Sequence, residues 1–105
     1  MSTADELYNA ADELKEAGQI DAAINKLHEA LGVDPNHALT HTALSVLYTR
    51  QGKHAEAVQH GLRVCELEPN DPFSFTSMSV TFMRAGKIPE AEEAMARSRM
   101  LQQTR

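Results

Sequence analysis

The sequence has few of the residues that staple or anchor a small protein. It has no tryptophan, a single cysteine, Cys65, and no run of 18 apolar residues. One cysteine excludes an intramolecular disulfide and favours a reducing compartment, which we take to be the cytoplasm. The missing apolar run predicts that no helix spans a membrane, and residues 1–6 lack the basic and apolar segments of a secretory signal.

An excess of positive charge is missing as well. The formal net charge is −5, so few basic side chains are available to displace counterions from phosphates, and we expect no nucleic-acid partner. The charge is also uneven, at −6 for residues 1–34, 0 for residues 35–68 and +1 for residues 69–105. The N-terminal third is therefore acidic, and the rest is close to neutral.

The sequence does have a 34-residue period. Shifted by that offset, the chain aligns three glycines, three alanines and two Pro-Asn pairs: Gly18, Gly52 and Gly86; Ala23, Ala57 and Ala91; Pro35-Asn36 and Pro69-Asn70. A period of this length is the signature of a solenoid, in which supersecondary units stack on one another.

Inside each period the apolar residues recur at spacings of three and four, as on one face of an amphipathic helix. Thr3 to Glu6 is typical of a capping box, and Asp71 followed by Pro72 is typical of a helix start. We also expect Asp21 to cap the second helix. No strand pattern competes, so the sequence predicts an all-α chain of six helices in three antiparallel helix-turn-helix pairs.

The repeated residues resemble the tetratricopeptide repeat, a 34-residue helix pair that stacks into a right-handed superhelix. The matching residues are Leu7, Ala11, Leu14, Gly18, Ala23, Leu27, Ala30 and Pro35; His41, Ser45, Tyr48, Gly52, Ala57, Gly61, Val64 and Pro69; and Phe75, Ser79, Phe82, Gly86, Ala91, Met95 and Ser98. The resemblance covers residues 4 to about 101. It implies a single domain over residues 1–105, with repeats at about 4–37, 38–71 and 72–105.

The resemblance also implies a concave side lined by the first helix of each repeat. The groove residues would be Tyr8, Asp12, Leu39, Thr42, Val46, Thr49, Arg50, Phe73, Thr76, Val80, Met83 and Arg84. Packing between helices does not need the apolar members, and a run of exposed apolar residues typically marks a partner site. We predict that a protein or peptide binds there, with Tyr8 and Phe73 as aromatic anchors. The alternative is that some of these side chains only shield neighbouring helices.

One subclass of the family grips the C-terminal carboxylate of heat-shock chaperones with lysine, asparagine and arginine side chains. The matching positions here are Tyr8, Asp12, Ala43, Phe73 and Ser77, and none is basic or asparagine. A chaperone tail bound in that way is therefore not expected.

The second repeat departs from the pattern at two positions. Gly61 stands where the other repeats have Leu27 and Met95, and His41 stands where they have Leu7 and Phe75. We expect the His41 ring to lean into the space beside Gly61. Glycine in a helix costs about 0.5–1 kcal/mol relative to alanine, so this reasoning predicts that Gly61→Ala raises the melting temperature.

Candidates for chemistry are few. His37 and His41 lie four residues apart on one helix face, but two ligands make a weak metal site, and we interpret them as an exposed and a core histidine. His28, His54 and His60 are predicted to lie at the surface. Cys65 is interpreted as a packed small side chain rather than a nucleophile. No metal, cofactor or catalytic group is predicted.

The C-terminal end suggests a second function. Each repeat leaves an apolar face for the next, and no further amphipathic helix follows the sixth in this sequence. Phe82, Met95 and Leu101 are therefore candidates for an interface between copies. The sequence favours a non-enzymatic interaction module, an adaptor or chaperone-like protein; the alternative is a self-assembling scaffold that forms a homo-oligomer through its last repeat.

Overall fold

The computed structural model describes residues 2–103, and every helix that it contains belongs to one antiparallel pair. The helices are α1 (Ala4–Glu16), α2 (Ile20–Val33), α3 (Ala38–Arg50), α4 (His54–Leu67), α5 (Pro72–Arg84) and α6 (Ile88–Gln103). Helix α1 packs on α2, α3 on α4, and α5 on α6, while contacts of α2 with α3, α4 with α5 and α3 with α5 join the pairs. The six predicted helices are thus confirmed, and the stack measures 41 × 29 × 20 Å.

The turn inside each pair has the same geometry three times. Gly18, Gly52 and Gly86 have φ angles of 80°, 76° and 78°, which side chains other than glycine rarely adopt. In the first turn, the N–H of Gln19 donates to the carbonyl of Leu14 at 2.9 Å, and the N–H of Gly18 donates to Lys15 at 2.9 Å. This is the Schellman pattern, and the other two turns repeat it with Lys53 and Lys87 as donors.

Two of the three predicted helix starts are confirmed. Thr3 Oγ1 accepts from the N–H of Glu6 at 3.1 Å, and the Glu6 carboxylate accepts from the N–H of Thr3 at 2.9 Å. Asp71 accepts from the N–H of Phe73 at 3.0 Å. The expectation for Asp21 is wrong, because α2 already begins at Ile20 and its cap position is Gln19, which makes no side-chain capping bond.

Small residues let the helices of a pair approach each other. Ala23, Ala57 and Ala91 are completely buried. The hydroxyl of Ser45 donates to the carbonyl of Ala57 at 2.9 Å, and 34 residues later the hydroxyl of Ser79 repeats the bond to Ala91 at 3.0 Å. Larger side chains fill the space around these contacts, and the main cluster consists of Ala11, Ala23, Ile24, Leu27, Leu44 and Leu47.

The space beside Gly61 is filled by a different side chain from the one expected. A Cβ placed at Gly61 would lie 2.6 Å from Met78 Sδ and 3.3 Å from Ser45 Oγ. The nearest atoms thus belong to Met78 and Ser45, while the His41 ring bonds to His60 and to the carbonyl of Pro35. The thioether of Met78 reaches across from α5 instead, and the lost volume of the glycine accommodates it.

The predicted domain, residues 1–105, begins and ends outside the described residues, and the repeat boundaries stay a prediction. Among residues 2–103, no helix combines the length and the apolar character that crossing a bilayer requires.

Candidate functional site

A continuous depression runs over the first helices of the three pairs. One hollow of about 190 Å³ lies between α1 and α3, and two others, of about 270 and 250 Å³, lie between α3 and α5. Leu39 and Thr42 line two of these hollows, Val46 lines two, and so do Ser77 and Thr81. Because neighbouring hollows share walls, they form one surface, which we call the inner groove.

Four apolar side chains that line the inner groove are exposed. The exposed fractions are 73% for Phe73, 51% for Val80 and 42% for Val46. Leu39 is exposed as well, whereas Tyr8 is half-buried and packs against the core cluster. Phe73, Val80, Val46 and Leu39 therefore have much of their surface open to solvent, whereas Tyr8 takes part in packing between helices.

Most of the predicted groove residues line these hollows, but two do not. Thr76 faces α6, because its Oγ1 lies 2.7 Å from Ser98 Oγ. Met83 lines a separate hollow on the far side of α5, together with Met95. The remaining predicted residues that line the inner groove are Tyr8, Asp12, Leu39, Thr42, Val46, Thr49, Arg50, Phe73, Val80 and Arg84.

The sequence interpretation left several polar wall residues out of its groove, among them Ser77, Thr81 and Asp71. Ser77 and Thr81 line the hollows between α3 and α5, and Asp71 lines one of them. Ser77 was within reach of sequence reasoning, since it matches one position of the chaperone-binding subclass. Thr81 has no such signal, because its spacing places it equally well among the buried residues of α5.

Two threonine hydroxyls of the inner groove are bonded within their own helix. Thr42 donates to the carbonyl of Ala38 at 3.1 Å, and Thr49 donates to that of Ser45 at 2.8 Å. A hydroxyl that bonds four residues back along its helix is less available to a ligand. The walls between the charged ends therefore present mainly methyl groups and aromatic edges.

Charges lie towards the ends of the inner groove. At α1, Lys15 Nζ lies 3.0 Å from the Asp12 carboxylate, which raises the pKa of the lysine and leaves this pair close to neutral. Arg50 and Arg84 occupy the last turns of α3 and α5, where the helix dipole favours a cation. Among residues 2–103, neither arginine makes a side-chain hydrogen bond or an ion pair.

Three histidines and a tyrosine form a cluster on the other side of α3. His41 Nε2 lies 2.8 Å from the carbonyl of Pro35, so it carries the proton, and Nδ1 of His41 accepts from Nδ1 of His60 at 3.0 Å. The Tyr48 ring stacks on His60 at 5.8 Å, and its hydroxyl lies 2.8 Å from His28 Nε2. We call His28, His41, Tyr48 and His60 the histidine cluster.

The surface position predicted for His60 is wrong. Its ring is half-buried, and burial, followed by the charges of His41 and His28, lowers its pKa to about 4. Burial, and then the charge of Glu56, raises the pKa of Tyr48. Within the histidine cluster, His60 and Tyr48 are therefore uncharged at neutral pH.

The pair His37 and His41 does not form a metal site. Nδ1 of His37 lies 2.7 Å from Thr40 Oγ1, and its Nε2 lies 2.6 Å from the Asp5 carboxylate. His37 is thus bonded and largely covered rather than exposed, which corrects the sequence interpretation. Within the described part of the chain, no three histidine, cysteine or acidic side chains are placed to hold a metal ion.

Cys65 is half-buried, and its Sγ lies 3.7 Å from the carbonyl of Ser74. Burial raises the pKa of its thiol to about 11. A thiol of this kind reacts slowly, in keeping with its interpretation as a packing residue.

Comparison with known families identifies the family to which the repeat belongs. The sequence profile described as tetratricopeptide repeat matches residues 8–72. The chain belongs to the tetratricopeptide repeat family. The first two helix pairs lie almost wholly inside the matched range, and six helices correspond to about three repeats.

Solved structures of tetratricopeptide repeat proteins have the same fold. MamA superposes with a TM-score of 0.89 at 18% identity, over 97% of this chain and 60% of its own. The second repeat domain of Spaghetti (RPAP3), bound to the HSP90 peptide SRMEEVD, superposes with a TM-score of 0.84 at 18% identity, over 95% of this chain and 93% of its own. These likenesses confirm the predicted all-α stack of helix pairs.

A third structure is YrrB, described as a tetratricopeptide repeat protein with an unusual peptide-binding site. It superposes with a TM-score of 0.84 at 20% identity, over 97% of this chain and 53% of its own. The chain thus spans 60% of the MamA chain and about half of YrrB. No curated protein sequence matches it.

Proposed function

We propose that the protein is a non-enzymatic interaction module that holds a peptide or partner segment in the inner groove, as an adaptor or a chaperone-like protein of the cytoplasm. The observation that carries the proposal is the row of exposed apolar side chains along connected hollows, with Val46 shared between two of them. Burying such side chains against a partner contributes about 25 cal/mol per Å² of apolar area before the costs of association.

The geometry favours an extended or helical segment rather than a small molecule. Three shallow hollows in series match a chain that places successive side chains into successive depressions. Phe73 offers an exposed ring in one of the two hollows between α3 and α5, and Val80 offers an exposed branched side chain in the other. Spaghetti and YrrB, which share the fold, are described with a bound peptide and with a peptide-binding site.

The test begins with peptides selected on the immobilised protein from a random library. Their affinity is then measured for the wild type, for Val80→Asp and for Ile88→Asp. Val80 and Ile88 are both exposed apolar residues, but only Val80 lines the inner groove. Affinity should fall about tenfold or more for Val80→Asp, since a carboxylate then replaces an apolar contact, and should stay unchanged for Ile88→Asp. Equal effects of the two substitutions would place binding outside the groove.

A second candidate function is self-association through the last repeat. Met83 and Met95 line a hollow of about 390 Å³ on the face of α5 and α6. Phe82, Met95 and Leu101 are half-buried. A scaffold built through this face would show a mass that rises with concentration in light scattering, and Met95→Asp would abolish the rise. A constant monomer mass over a hundredfold concentration range would leave only the first function.

A further inference from the structure

The 34-residue period creates two equivalent layers between neighbouring repeats. The first layer is the histidine cluster, between α2, α3 and α4. Adding 34 to each residue number gives the second layer, which consists of Leu62, Phe75, Phe82 and Ala94. Because the backbone repeats, a difference between the layers follows from their side chains.

In the first layer a ring occupies the centre. The His60 ring centroid lies 5.2 Å from that of His41, 5.8 Å from that of Tyr48 and 6.0 Å from that of His28. The planes of the His60 and Tyr48 rings make an angle of 18°, and such a near-parallel stack is an arrangement that aromatic rings favour. The first layer is thus closed by the His60 side chain, which comes from α4.

The second layer lacks that central ring. Ala94 takes the place of His60, while Phe75 and Phe82 keep the two aromatic positions. The structure has a cleft of about 540 Å³ here, lined by these three residues and by Leu62 and Met100, which are 45% and 54% exposed. We call it the aromatic cleft. It opens between α4, α5 and α6 and shares only Met78 with the hollows of the inner groove.

The lining of the aromatic cleft carries more negative than positive charge. Glu90 and Glu93 of α6 line it, as does Arg97. The Arg97 guanidinium carbon lies 5.8 Å from the centre of the Phe75 ring, where the ring face attracts a cation. Within residues 2–103, the two glutamates have no ion-pair partner. They are therefore available to a cation that arrives with a ligand.

We propose that the aromatic cleft binds an aromatic side chain of a protein partner that has lysine or arginine beside it in sequence. The ring takes the place that His60 occupies in the first layer, against Phe75 and Phe82. The neighbouring cation meets Glu90 and Glu93. This site is separate from the inner groove and does not depend on the function proposed for it.

The test uses a labelled peptide, Gly-Lys-Phe-Lys-Gly-Gly, and two matched peptides in which phenylalanine becomes alanine or both lysines become glutamate. Fluorescence anisotropy at low salt should show the first peptide binding about tenfold tighter than the alanine peptide, because the ring is the larger contact. It should bind about threefold tighter than the glutamate peptide, because exposed ion pairs contribute little. In NMR spectra the methyl groups of Ala94 and Met100 should shift.

Ala94→His places in the second layer the ring that the first layer already has. This variant should lose at least tenfold in affinity for the peptide, whereas Ala55→His, at an exposed position of α4 outside the cleft, should bind as the wild type does. Helix content by circular dichroism checks the folding of both. Glu90→Gln with Glu93→Gln supplies an independent variant, which should abolish the preference over the glutamate peptide while the preference over the alanine peptide remains.

Several outcomes would overturn the proposal. These are no binding of the phenylalanine peptide, equal binding of the alanine peptide, and unchanged binding by Ala94→His. If the wild type is dimeric in light scattering and Ala94→His is monomeric, the occupant is a second copy of the chain and not a partner. Val80→Asp should leave this peptide's affinity unchanged, so failure here and failure of the inner groove are distinguishable.

Discussion

The histidine cluster predicts that the protein loses stability in mild acid. Nδ1 of His60 donates to Nδ1 of His41 at 3.0 Å, and Nε2 of His41 donates to Pro35 at 2.8 Å. This chain of bonds uses neutral rings. A proton added to His60 would place a charge in a half-buried site beside two other imidazoles.

The sign and the window follow from the pKa of His60. The ordinary value of 6.5 falls to about 4 in the folded protein, so between these values the unfolded chain binds more protons than the folded one. The stability that His60 contributes is therefore complete above pH 6.5 and is lost as the pH falls towards 4. The charge of Glu56 opposes the fall in the pKa of His60, and Lys53 Nζ lies 6.0 Å from the centre of the Tyr48 ring.

The magnitude is modest. A fall in pKa from 6.5 to about 4 corresponds to about 3 kcal/mol for a fully buried group. Because the His60 ring is only half-buried, solvent screening reduces the expected loss to about 1–2 kcal/mol between pH 7.5 and pH 4. For a domain of about 100 residues this lowers the melting temperature by roughly 5–15 °C.

The assay is urea unfolding at pH 7.5, 6, 5 and 4 for the wild type, His60→Phe and His54→Gln. All three lose stability as carboxylates protonate, so the informative quantity is the difference between them. His60→Phe keeps a ring against Tyr48 but has no proton to bind, so its loss should be smaller than that of the wild type by about 1–2 kcal/mol. His54→Gln should follow the wild type. If the free energy of unfolding of His60→Phe depends on pH as that of the wild type does, the hydrogen bonds from His60 through His41 to Pro35 are not what stabilises this layer.

Two further predictions concern single sites. The expected effect of Gly61→Ala is the reverse of the one that the sequence predicts: the free energy of unfolding should fall by about 1 kcal/mol, because the overlap with Met78 Sδ outweighs the gain in helix propensity. In a double-mutant cycle with Met78→Val, which has no δ atom, Gly61→Ala should cost less, and a simple sum of the two effects would show that Met78 is not the obstacle. Cys65 should react with iodoacetamide at pH 8 about a hundredfold more slowly than free cysteine, since a pKa of about 11 leaves little thiolate. In urea the reaction rate of Cys65 should become that of an ordinary thiol. A fast reaction in the folded protein would contradict the burial of the thiol.

The periodicity predicts the fold because the backbone itself repeats. The three glycines in the turns and the three buried alanines stand at one offset, and each does the same physical work in every repeat. Where neighbouring repeats differ, sequence reasoning weakens. His60 was interpreted as a surface residue because its own helix gives no sign that rings from α2 and α3 cover it.

The inner groove was predictable in part, because residues of a first helix that do not pack against other helices must lie on its open face. Val46 and Val80 avoid the positions that pack between helices, and both line the hollows of the inner groove. Thr76 was misplaced because a threonine bonds equally well to a neighbouring helix or to solvent, and only the structure shows Ser98 within reach. Spacing gives the face of a residue, but its partner depends on the helix beside it.

The two layers between repeats show how one backbone can carry different chemistry. At the centre of the first, His60 supplies a ring, a hydrogen bond and a pH response. At the same position in the second, Ala94 supplies none of these and leaves the rings of Phe75 and Phe82 facing a cleft. Two reciprocal substitutions test the role of the residue at this position. His60→Ala should open a cleft in the first layer and remove the pH response, and Ala94→His should close the cleft in the second layer. If His60→Ala instead leaves both the stability and its pH dependence unchanged, the packing of α3 against α2 and α4 rests on the alanines and serines alone, and the ring at the centre is replaceable.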